Sequence, residues 1–237
     1  KASIEYIEEA VSLAMDGKVR GIVTGPINKR SIKEADHPYP GHTETLAALT
    51  DTPVEEVNMM LVAGALRVFH VTLHEALRDA IDDVKKDRII DRIGVAEKAL
   101  KGLGIEDPKI AVAALNPHGG ENGLLGTEEI EEIGPAVEEA KERGYNVHGP
   151  IPADTVFLRA RKGDFDGVIS QFHDQGHIPI KVLGMMKGVN VTVGPPISRT
   201  SVDHGTAFDI AGTGKADPED LIEAVNLAVT MAENEQE

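Results

Sequence analysis

The sequence predicts an α/β fold built on a mixed, mostly parallel sheet. Short apolar runs alternate with amphipathic segments of helical period, a pattern typical of strands and helices layered on a parallel sheet. Each of these runs is followed by glycine, proline or a polar residue, and they cover residues 19–24, 109–115, 167–170 and 189–193. Residues 58–72 hold two further runs separated by a Gly-containing turn. They predict an antiparallel hairpin, which makes the sheet mixed.

The first elements follow from helical spacing and turn residues. A helix over residues 3–15, ended by Gly17, is predicted because apolar residues recur at helical spacing: Ile4, Ile7, Val11 and Ala14. The strand over 19–24 runs into the turn of GPINK, a position that suits a ligand loop at the carboxyl end of a strand. The loop HPYPG then leads into a helix that begins at His42 or Thr43.

Further helices are predicted after the hairpin. Residues 75–84 form a short helix, and residues 86–103 form a longer one. A helix over 127–143 takes Thr127 as its cap and places glutamates in its first turns, where they favour the helix dipole. The last helix covers 218–231. Its predicted buried face carries four apolar residues: Leu221, Val225, Ala228 and Met231.

Composition excludes several classes of function. The chain has 237 residues, no cysteine and a formal net charge of −16. The acidity argues against a nucleic-acid or anionic-membrane partner, which would require a basic surface. No apolar run approaches the roughly 18 residues of a membrane-spanning helix. The absence of cysteine excludes thiolate ligands and suits a reducing compartment, so we expect a cytoplasmic protein.

Histidines follow three of the predicted strands. His74, His118 and His173 each come just after an apolar run. The carboxyl ends of parallel strands meet at one edge of a sheet, so these side chains are expected to converge there. Three imidazoles with open coordination positions are typical of a catalytic divalent-metal site. The alternative is that they are loop histidines bonded to the backbone.

Two further groups of residues suit an anion. His42 and Thr43 lie at a helix start, where backbone N–H groups bind anions readily, although either residue could instead cap the helix. Lys181, Asn190 and Arg199 follow the third histidine, and lysine and arginine complement phosphate or carboxylate. The alternative for these three is an ordinary polar surface.

The segment DHGTAFDIAG is a candidate for nucleotide binding. Its small residues would let the backbone approach an adenosine group, with His204 or Asp209 bonding it. The alternative is a tight turn that opens a short helix. The glycine-rich segments GPINK and NPHGGENG lack the spacing of a Rossmann or Walker fingerprint. Any dinucleotide must therefore be held in another way.

Several segments together carry a resemblance to a known family. GPINK, GHTE, NPHGGENG, GPIPADT, HDQGHIPIK, GVNVTVG and RTSVDHGTAFDIAG, in this order, resemble the 4-hydroxythreonine-4-phosphate dehydrogenases of pyridoxine biosynthesis. This resemblance implies a three-layer α/β/α fold like that of isocitrate and isopropylmalate dehydrogenases. It also implies NAD or NADP, one divalent metal (zinc, magnesium or cobalt), and a homodimer with its active site at the interface.

The resemblance assigns a role to each candidate residue. The metal ligands are His74, His118 and His173. The residues that contact the phosphorylated substrate are His42, Thr43, Lys181, Asn190 and Arg199. The loop that holds the NAD adenosine contains His204, Gly205, Thr206 and Asp209. Lys181 is also a candidate proton shuttle, and Asp174 is expected to orient a histidine.

The implied reaction is oxidation, with decarboxylation, of a phosphorylated four-carbon hydroxy acid such as 4-hydroxythreonine 4-phosphate. HDQGHIPIK and FDIAG are closer to the branch that acts on 4-phosphothreonate or 4-phosphoerythronate. We expect residues 1–237 to be one dehydrogenase chain that lacks an N-terminal part of the family fold, with two subdomains and the site in the cleft between them. Two other classes stay open: a metal-dependent hydrolase or lyase, and a non-catalytic binding protein.

Overall fold

The computed structural model describes residues 1–183 and 188–234. The chain divides into two compact units. Unit 1 comprises residues 1–59 and 186–237, and unit 2 comprises residues 60–185. In the described stretches, no helix is both long enough and apolar enough to span a bilayer.

The helices and strands follow one another along the chain in the alternation that the fold class requires. Their bounds are α1 (Ala2–Met15), β1 (Gly21–Thr24), α2 (Lys29–Glu34), α3 (His42–Leu49), β2 (Asn58–Ala63), β3 (Leu66–His70), α4 (Leu77–Asp82), α5 (Lys86–Lys101), β4 (Ile110–Ala113), α6 (Gly134–Glu142), β5 (Val147–Ile151), α7 (Ala153–Arg161), β6 (Gly167–Ser170), α8 (His173–Leu183), β7 (Val189–Val193), β8 (Ser198–Val202) and α9 (Glu219–Asn234).

In unit 1, strand β8 lies between β1 and β7. It pairs with β1 in parallel and with β7 antiparallel. Helix α9 packs on all three of these strands, and α1 packs on β1 and α3. A cluster of buried aliphatic side chains joins these elements: Ile4, Ile7, Val11, Ile22, Ile32, Leu46 and Ile197. The buried face of α1 therefore confirms the helix predicted over residues 3–15.

In unit 2, the strands lie in the order β2-β3-β6-β4-β5. Strands β2 and β3 form the predicted antiparallel hairpin, and the neighbours from β3 to β5 are parallel. Helices α5 and α7 both pack on β3, β4 and β6. All residues of β4 and β6 are buried, so both faces of the sheet are covered. The predicted α/β/α class with a mixed, mostly parallel sheet is confirmed.

The parallel alignment of β3, β6 and β4 positions the histidine segments. His70 lies opposite Ser170 on β6, and Ile169 of β6 lies opposite Val112 of β4. The three strands therefore end at the same edge. The segments that leave this edge carry His74 and His118 among their residues, and α8 begins there with the third predicted ligand.

Several elements were not predicted by periodicity. Helix α8 contains Gly176 and Pro179, two residues that disfavour helix interiors, and therefore resembles a loop in sequence. Strand β8 has the polar sequence SRTSV, although all five of its residues are buried. Strand β5 and helix α7 lie in a segment to which periodicity assigned no element. Elements stabilised by tertiary contacts rather than by their own apolar pattern are hard to predict from sequence.

The predicted helix over 127–143 is interrupted. It begins with a π-helical turn, Glu129–Ile133, and continues as α6. Pro135 has no N–H to donate to the preceding turn, which explains why the regular α-helical hydrogen bonding starts only there. The carbonyl oxygen of Thr127 accepts hydrogen bonds from the backbone N–H groups of Ile130 and Glu131, so the helical segment starts there as predicted. No side chain caps the π-helical turn that follows.

The buried face predicted for the last helix is partly wrong. Leu221 and Val225 are each 43% exposed, whereas Ala224 is completely buried. The hydroxyl of Thr200 donates a hydrogen bond to the carbonyl of Ala224, so α9 approaches β8 through a small residue. This close approach rotates the apolar face away from the predicted one, and only Met231 is both predicted and buried.

Replacement of Gly194 by alanine should destabilise the protein severely. Gly194 has a φ of +118°, and a Cβ there would clash with the backbone carbonyl oxygen of Glu56. We expect a loss of about 3 kcal/mol in the free energy of unfolding, measured by urea denaturation. Gly17→Ala is the matched control, because its φ is +69° with no atom within 4 Å of the added Cβ. Equal losses for the two variants would contradict the close approach.

Candidate functional site

Two of the predicted metal ligands line one pocket in unit 2. His74 and His173 share a pocket of about 460 Å³ with Glu75, Phe172 and Asp174. The ring centroids of the two histidines are 5.7 Å apart. His74 follows β3 and His173 begins α8 after β6, so the parallel pairing of these strands brings them together.

Asp174 holds the first histidine of α8 in one orientation. Nδ1 of His173 lies 2.7 Å from Oδ1 of Asp174. A carboxylate accepts hydrogen bonds, so Nδ1 of His173 carries the proton and donates a hydrogen bond to Asp174. Nε2 of His173 then keeps its lone pair, which is the form that binds a metal ion. This geometry suits the predicted orienting role of Asp174.

Two more histidines lie behind His173. The ring of His177, one helical turn along α8, stacks on that of His173 with centroids 3.6 Å apart. Nδ1 of His177 lies 3.1 Å from Nε2 of His70 at the end of β3. Burial, followed by the nearby charges of His177 and His173, lowers the pKa of His70 to about 3. His70 is therefore neutral at physiological pH.

His118 lies in a left-handed turn. Residues 118–123 all have positive φ, and three of these six residues are not glycine: His118, Glu121 and Asn122. The buried carboxylate of Glu129 accepts hydrogen bonds from the backbone N–H groups of Leu115 and Asn116, which lead into this turn. Such strain persists only where surrounding contacts impose it, and it is commonest at functional sites.

The structure does not group His118, the third predicted metal ligand, with His74 and His173. Nδ1 of His118 lies 3.0 Å from Oε1 of Glu121, and its side chain is 67% exposed. Within residues 1–183 and 188–234, no three His, Asp or Glu side chains form a group that could hold a metal ion. The set of His74, His118 and His173 stays a prediction. Neutral imidazoles are nevertheless suitable donors for zinc or cobalt, and less so for magnesium, which prefers oxygen.

A buried cation lies in unit 1. Arg199 on β8 is 5% exposed. Its Nε and Nη2 donate to the hydroxyl of Thr24, and its Nη1 donates to the hydroxyl of Thr192. Burial lowers the pKa of Arg199 to about 10, so the guanidinium stays charged at neutral pH. Among the described residues, no carboxylate forms a salt bridge with it. A buried charge without a counter-ion suits an anionic ligand.

His42 belongs to the same charged environment. Burial and then the charge of Arg199 lower the pKa of His42 to about 4. Its Nε2 is buried and has no hydrogen-bond partner within the described part of the chain. The cap of α3 is Gly41, which makes no side-chain hydrogen bond, so His42 and the exposed Thr43 are not simple caps. Both lie in the first turn of α3, where anions bind readily.

The remaining predicted substrate contacts lie on separate elements. Lys181 is exposed in the last turn of α8, eight residues after His173. Asn190 is half-buried on β7, and its Nδ2 donates to the sulfur of Met59. Their roles stay predictions.

The predicted adenosine loop is an exposed turn. Nδ1 of His204 lies 2.9 Å from the carbonyl oxygen of Gly205, and a short 3-10 helix covers Phe208–Ile210. Thr206 is half-buried and Asp209 is exposed. A short helix does follow the turn, so the local structure agrees with the alternative stated above and leaves the nucleotide role of this loop a prediction.

The family of the chain follows from comparison with known proteins. The model of the family described as "Pyridoxal phosphate biosynthetic protein PdxA" matches residues 1–228. The chain belongs to this family. The match includes every predicted site residue, so the PdxA family resemblance covers both units.

Relatives of known name agree with this assignment. The chain is 53% identical over 232 residues to the D-threonate 4-phosphate dehydrogenase of Cupriavidus necator, covering 98% of this chain and 69% of that protein. A crystal structure of 4-hydroxythreonine-4-phosphate dehydrogenase from Klebsiella pneumoniae aligns with a TM-score of 0.87 at 48% identity, covering 97% of this chain and 70% of that one. The corresponding enzyme from Burkholderia phymatum aligns with a TM-score of 0.83 at 52% identity, covering 96% and 69%. These relatives are dehydrogenases, which supports an oxidoreductase.

Some residues of this PdxA-family site were missed from the sequence. His70 lies within the predicted hairpin of residues 58–72, so the sequence places it in the sheet, whereas it is the last residue of β3 in the structure. Thr24 and Thr192, which bond Arg199, are also strand residues. The signal that could have found His70 and Thr24 is a polar residue at the end of an otherwise apolar strand, where side chains leave the sheet for its ligand-binding edge. Thr192 carries no such signal, because Val193 follows it in β7.

Replacement of His42 should make the free energy of unfolding depend less on pH. The folded chain keeps His42 neutral down to about pH 4, whereas the unfolded chain protonates it near 6.5. Between these values the unfolded state binds more protons, so the free energy of unfolding falls as the pH falls. His42→Asn should reduce this slope, measured by urea denaturation across the interval. His204→Asn, at an exposed histidine, is the control, and an unchanged slope in His42→Asn would contradict the burial effect.

Proposed function

We propose that the chain is an NAD(P)-dependent, metal-dependent dehydrogenase of a phosphorylated four-carbon hydroxy acid. The observation that carries this proposal is the pocket in which His74 and His173 lie together, with His173 oriented by Asp174. The names of the relatives favour D-threonate 4-phosphate as substrate, with 4-hydroxythreonine 4-phosphate and 4-phosphoerythronate as alternatives. The cytoplasm remains the predicted location.

Arg199 is proposed to bind an anionic group of the substrate. Its guanidinium is held by two threonine hydroxyls, Thr24 and Thr192, which fix its direction without neutralising its charge. Phosphate or carboxylate would supply the missing counter-charge through short, charge-assisted hydrogen bonds. His42 is neutral, so it can donate a hydrogen bond to the same ligand without adding charge. Thr43, Lys181 and Asn190 are proposed as further substrate contacts.

His74, His118 and His173 are proposed to hold the divalent metal. The donor chemistry favours zinc or cobalt over magnesium. When bound, such an ion acts as a Lewis acid that lowers the pKa of a substrate hydroxyl. The protein keeps the nitrogen lone pairs available to the ion. At His173, Asp174 does this by accepting the hydrogen bond from Nδ1, which leaves the lone pair on Nε2.

The dinucleotide is proposed to bind at the segment that contains His204, Gly205, Thr206 and Asp209. NAD or NADP, when bound, accepts the hydride from the substrate carbon. The hydroxyl proton must leave at the same time, and Lys181 is the candidate that carries it away. In D-threonate 4-phosphate the ketone formed at the third carbon is β to the carboxylate, so carbon dioxide is lost readily.

A homodimer is proposed to complete the site. Unit 2 exposes large apolar side chains beside the segments that carry His118 and His173: Leu124 (81%), Ile130 (56%), Ile178 (59%) and Val182 (71%). Apolar surface of this kind commonly marks a protein interface. A second copy that covers it would also be placed to contribute ligands, as the family resemblance implies.

Turnover should depend on both the metal and a phosphorylated substrate. Formation of NADH is followed by absorbance with D-threonate 4-phosphate, 4-phosphoerythronate and 4-hydroxythreonine 4-phosphate, each with zinc, cobalt or chelator. We expect a signal that chelator abolishes and metal restores. Release of phosphate or carbon dioxide without NADH would favour the hydrolase or lyase class and contradict the dehydrogenase.

Replacement of Arg199 should weaken substrate binding more than it affects folding. Arg199→Met removes the buried charge while it keeps an apolar chain of similar length. We expect KM to rise about 30-fold, equivalent to about 2 kcal/mol of lost binding free energy. Arg30→Met, at an exposed arginine paired with Glu34, is the control. An unchanged KM in a folded Arg199→Met variant would contradict the anion site.

A further inference from the structure

His177 is packed directly against a proposed metal ligand. It lies four residues after His173 on α8, so the two side chains share one face of the helix. Their rings are almost parallel, with an interplanar angle of 12° and centroids 3.6 Å apart. The stack restricts rotation of the His173 ring about its side-chain bonds, in addition to the hydrogen bond that Nδ1 of His173 donates to Asp174.

His177 is itself tied to the sheet by a buried partner. Its Nδ1 lies 3.1 Å from Nε2 of His70 and 3.0 Å from the carbonyl oxygen of His173. His70 ends strand β3 and is 4% exposed. The chain of contacts therefore runs from the interior of the sheet, through His70 and His177, to the ring of His173.

A glycine makes this chain of contacts possible. A Cβ at Gly176 would clash with Nε2 of His70 and with Oγ of Ser170. Only glycine allows α8 to lie this close to the ends of β3 and β6. The same approach leaves the ring of His70 little room to reorient, because it is enclosed by the sheet on one side and the helix on the other.

His70 is an unfavourable residue for stability alone. Its Nδ1 is buried and has no hydrogen-bond partner within the residues that the structure describes. A buried polar atom left unpaired costs about 1–3 kcal/mol, whereas an apolar side chain of similar size would carry no such cost. An unfavourable polar residue beside a ligand pocket is best explained by a role in function.

We propose that His70 and His177 are positioning residues that hold the His173 ring in the orientation in which Nε2 can bind the metal. The inference rests on the proposed function, because His173 is the metal ligand. In this proposal neither residue is a ligand of the ion or a contact of the substrate. They act through His173: His70 anchors His177, and His177 provides the surface on which the His173 ring stacks.

The test separates positioning from a merely structural role. His70→Leu removes the anchor together with the unpaired nitrogen, so the melting temperature should be unchanged or higher. Zinc affinity, measured by competition with a chromophoric chelator, should nevertheless fall about 10-fold, the lower end of the effect of partners that orient metal ligands. His177→Leu should weaken zinc binding at least as much, since it also removes the stack. His148→Leu, at a histidine that contacts Phe165 and Asn146, is the matched control.

A second measurement does not depend on the metal. In the metal-free protein at about pH 8, where histidines are neutral, proton–nitrogen correlation spectra report the tautomer and ring-current shifts of each imidazole. The signals of His173, assigned with a His173→Asn variant, should show one tautomer with protonated Nδ1 and the shifts of a stacked ring. In His70→Leu the shifts and the tautomer ratio should move towards those of free imidazole.

The outcomes distinguish the two proposals. A wild-type protein that binds no zinc contradicts the proposed function, whatever the spectra show. An unchanged His173 spectrum in a folded His70→Leu variant contradicts the positioning role, whatever the zinc affinity. Weaker zinc binding with an altered His173 spectrum and an undiminished melting temperature supports it.

Discussion

The parallel pairing of β3, β6 and β4 is the constraint on which the histidine pocket depends. Parallel strands end at a common edge, so segments far apart in sequence leave the sheet side by side. His70 opposite Ser170 fixes the start of α8 relative to the end of β3. From this register follow the shared pocket of His74 and His173 and the contact of His177 with His70. A shift of one residue would turn every side chain of β6 to the other face.

Each of the two units places titratable groups where burial controls their charge. His42 and His70 are kept neutral because burial disfavours the imidazolium. Arg199 keeps its charge despite burial, because the ordinary pKa of a guanidinium is far above neutrality. The result is a buried positive charge in one unit and neutral nitrogen donors in the other, within a chain of net charge −16. The positive charge of Arg199 opposes the net charge of the chain and favours an anionic substrate, and the neutral imidazoles favour a metal ion.

Much of the fold could be predicted from the sequence, because its buried strands and amphipathic helices carry clear periods. The hairpin, the strand over 167–170 and helix α1 were predicted from their own residues alone. Helix α8 and strand β8 could not be predicted this way: Gly176 fits because of a close approach to β3, and the polar residues of β8 are buried by their neighbours. Local pattern carries no information about such tertiary contacts.

The candidate site residues also divide into those that the sequence predicts and those that depend on tertiary contacts. The positions of His74 and His173 at strand ends follow from sequence order and parallel topology. The stack of His177 and the buried partner His70 depend on the distance between a helix and a sheet, which no spacing rule supplies. For Arg199, the sequence indicated the charge and the resemblance indicated the role. Its two threonine partners, and the absence of a salt bridge to any carboxylate in the described part of the chain, emerged only from the structure.

The most direct test of the account is the identity of the ligands to a bound metal. X-ray absorption of the cobalt-loaded protein should show a first coordination shell that contains imidazole nitrogen, with its distinctive outer-shell scattering, and His173→Asn should reduce that contribution. A shell of oxygen atoms alone, unchanged in His173→Asn, would contradict the claim that the histidines at the ends of the parallel strands form the metal centre.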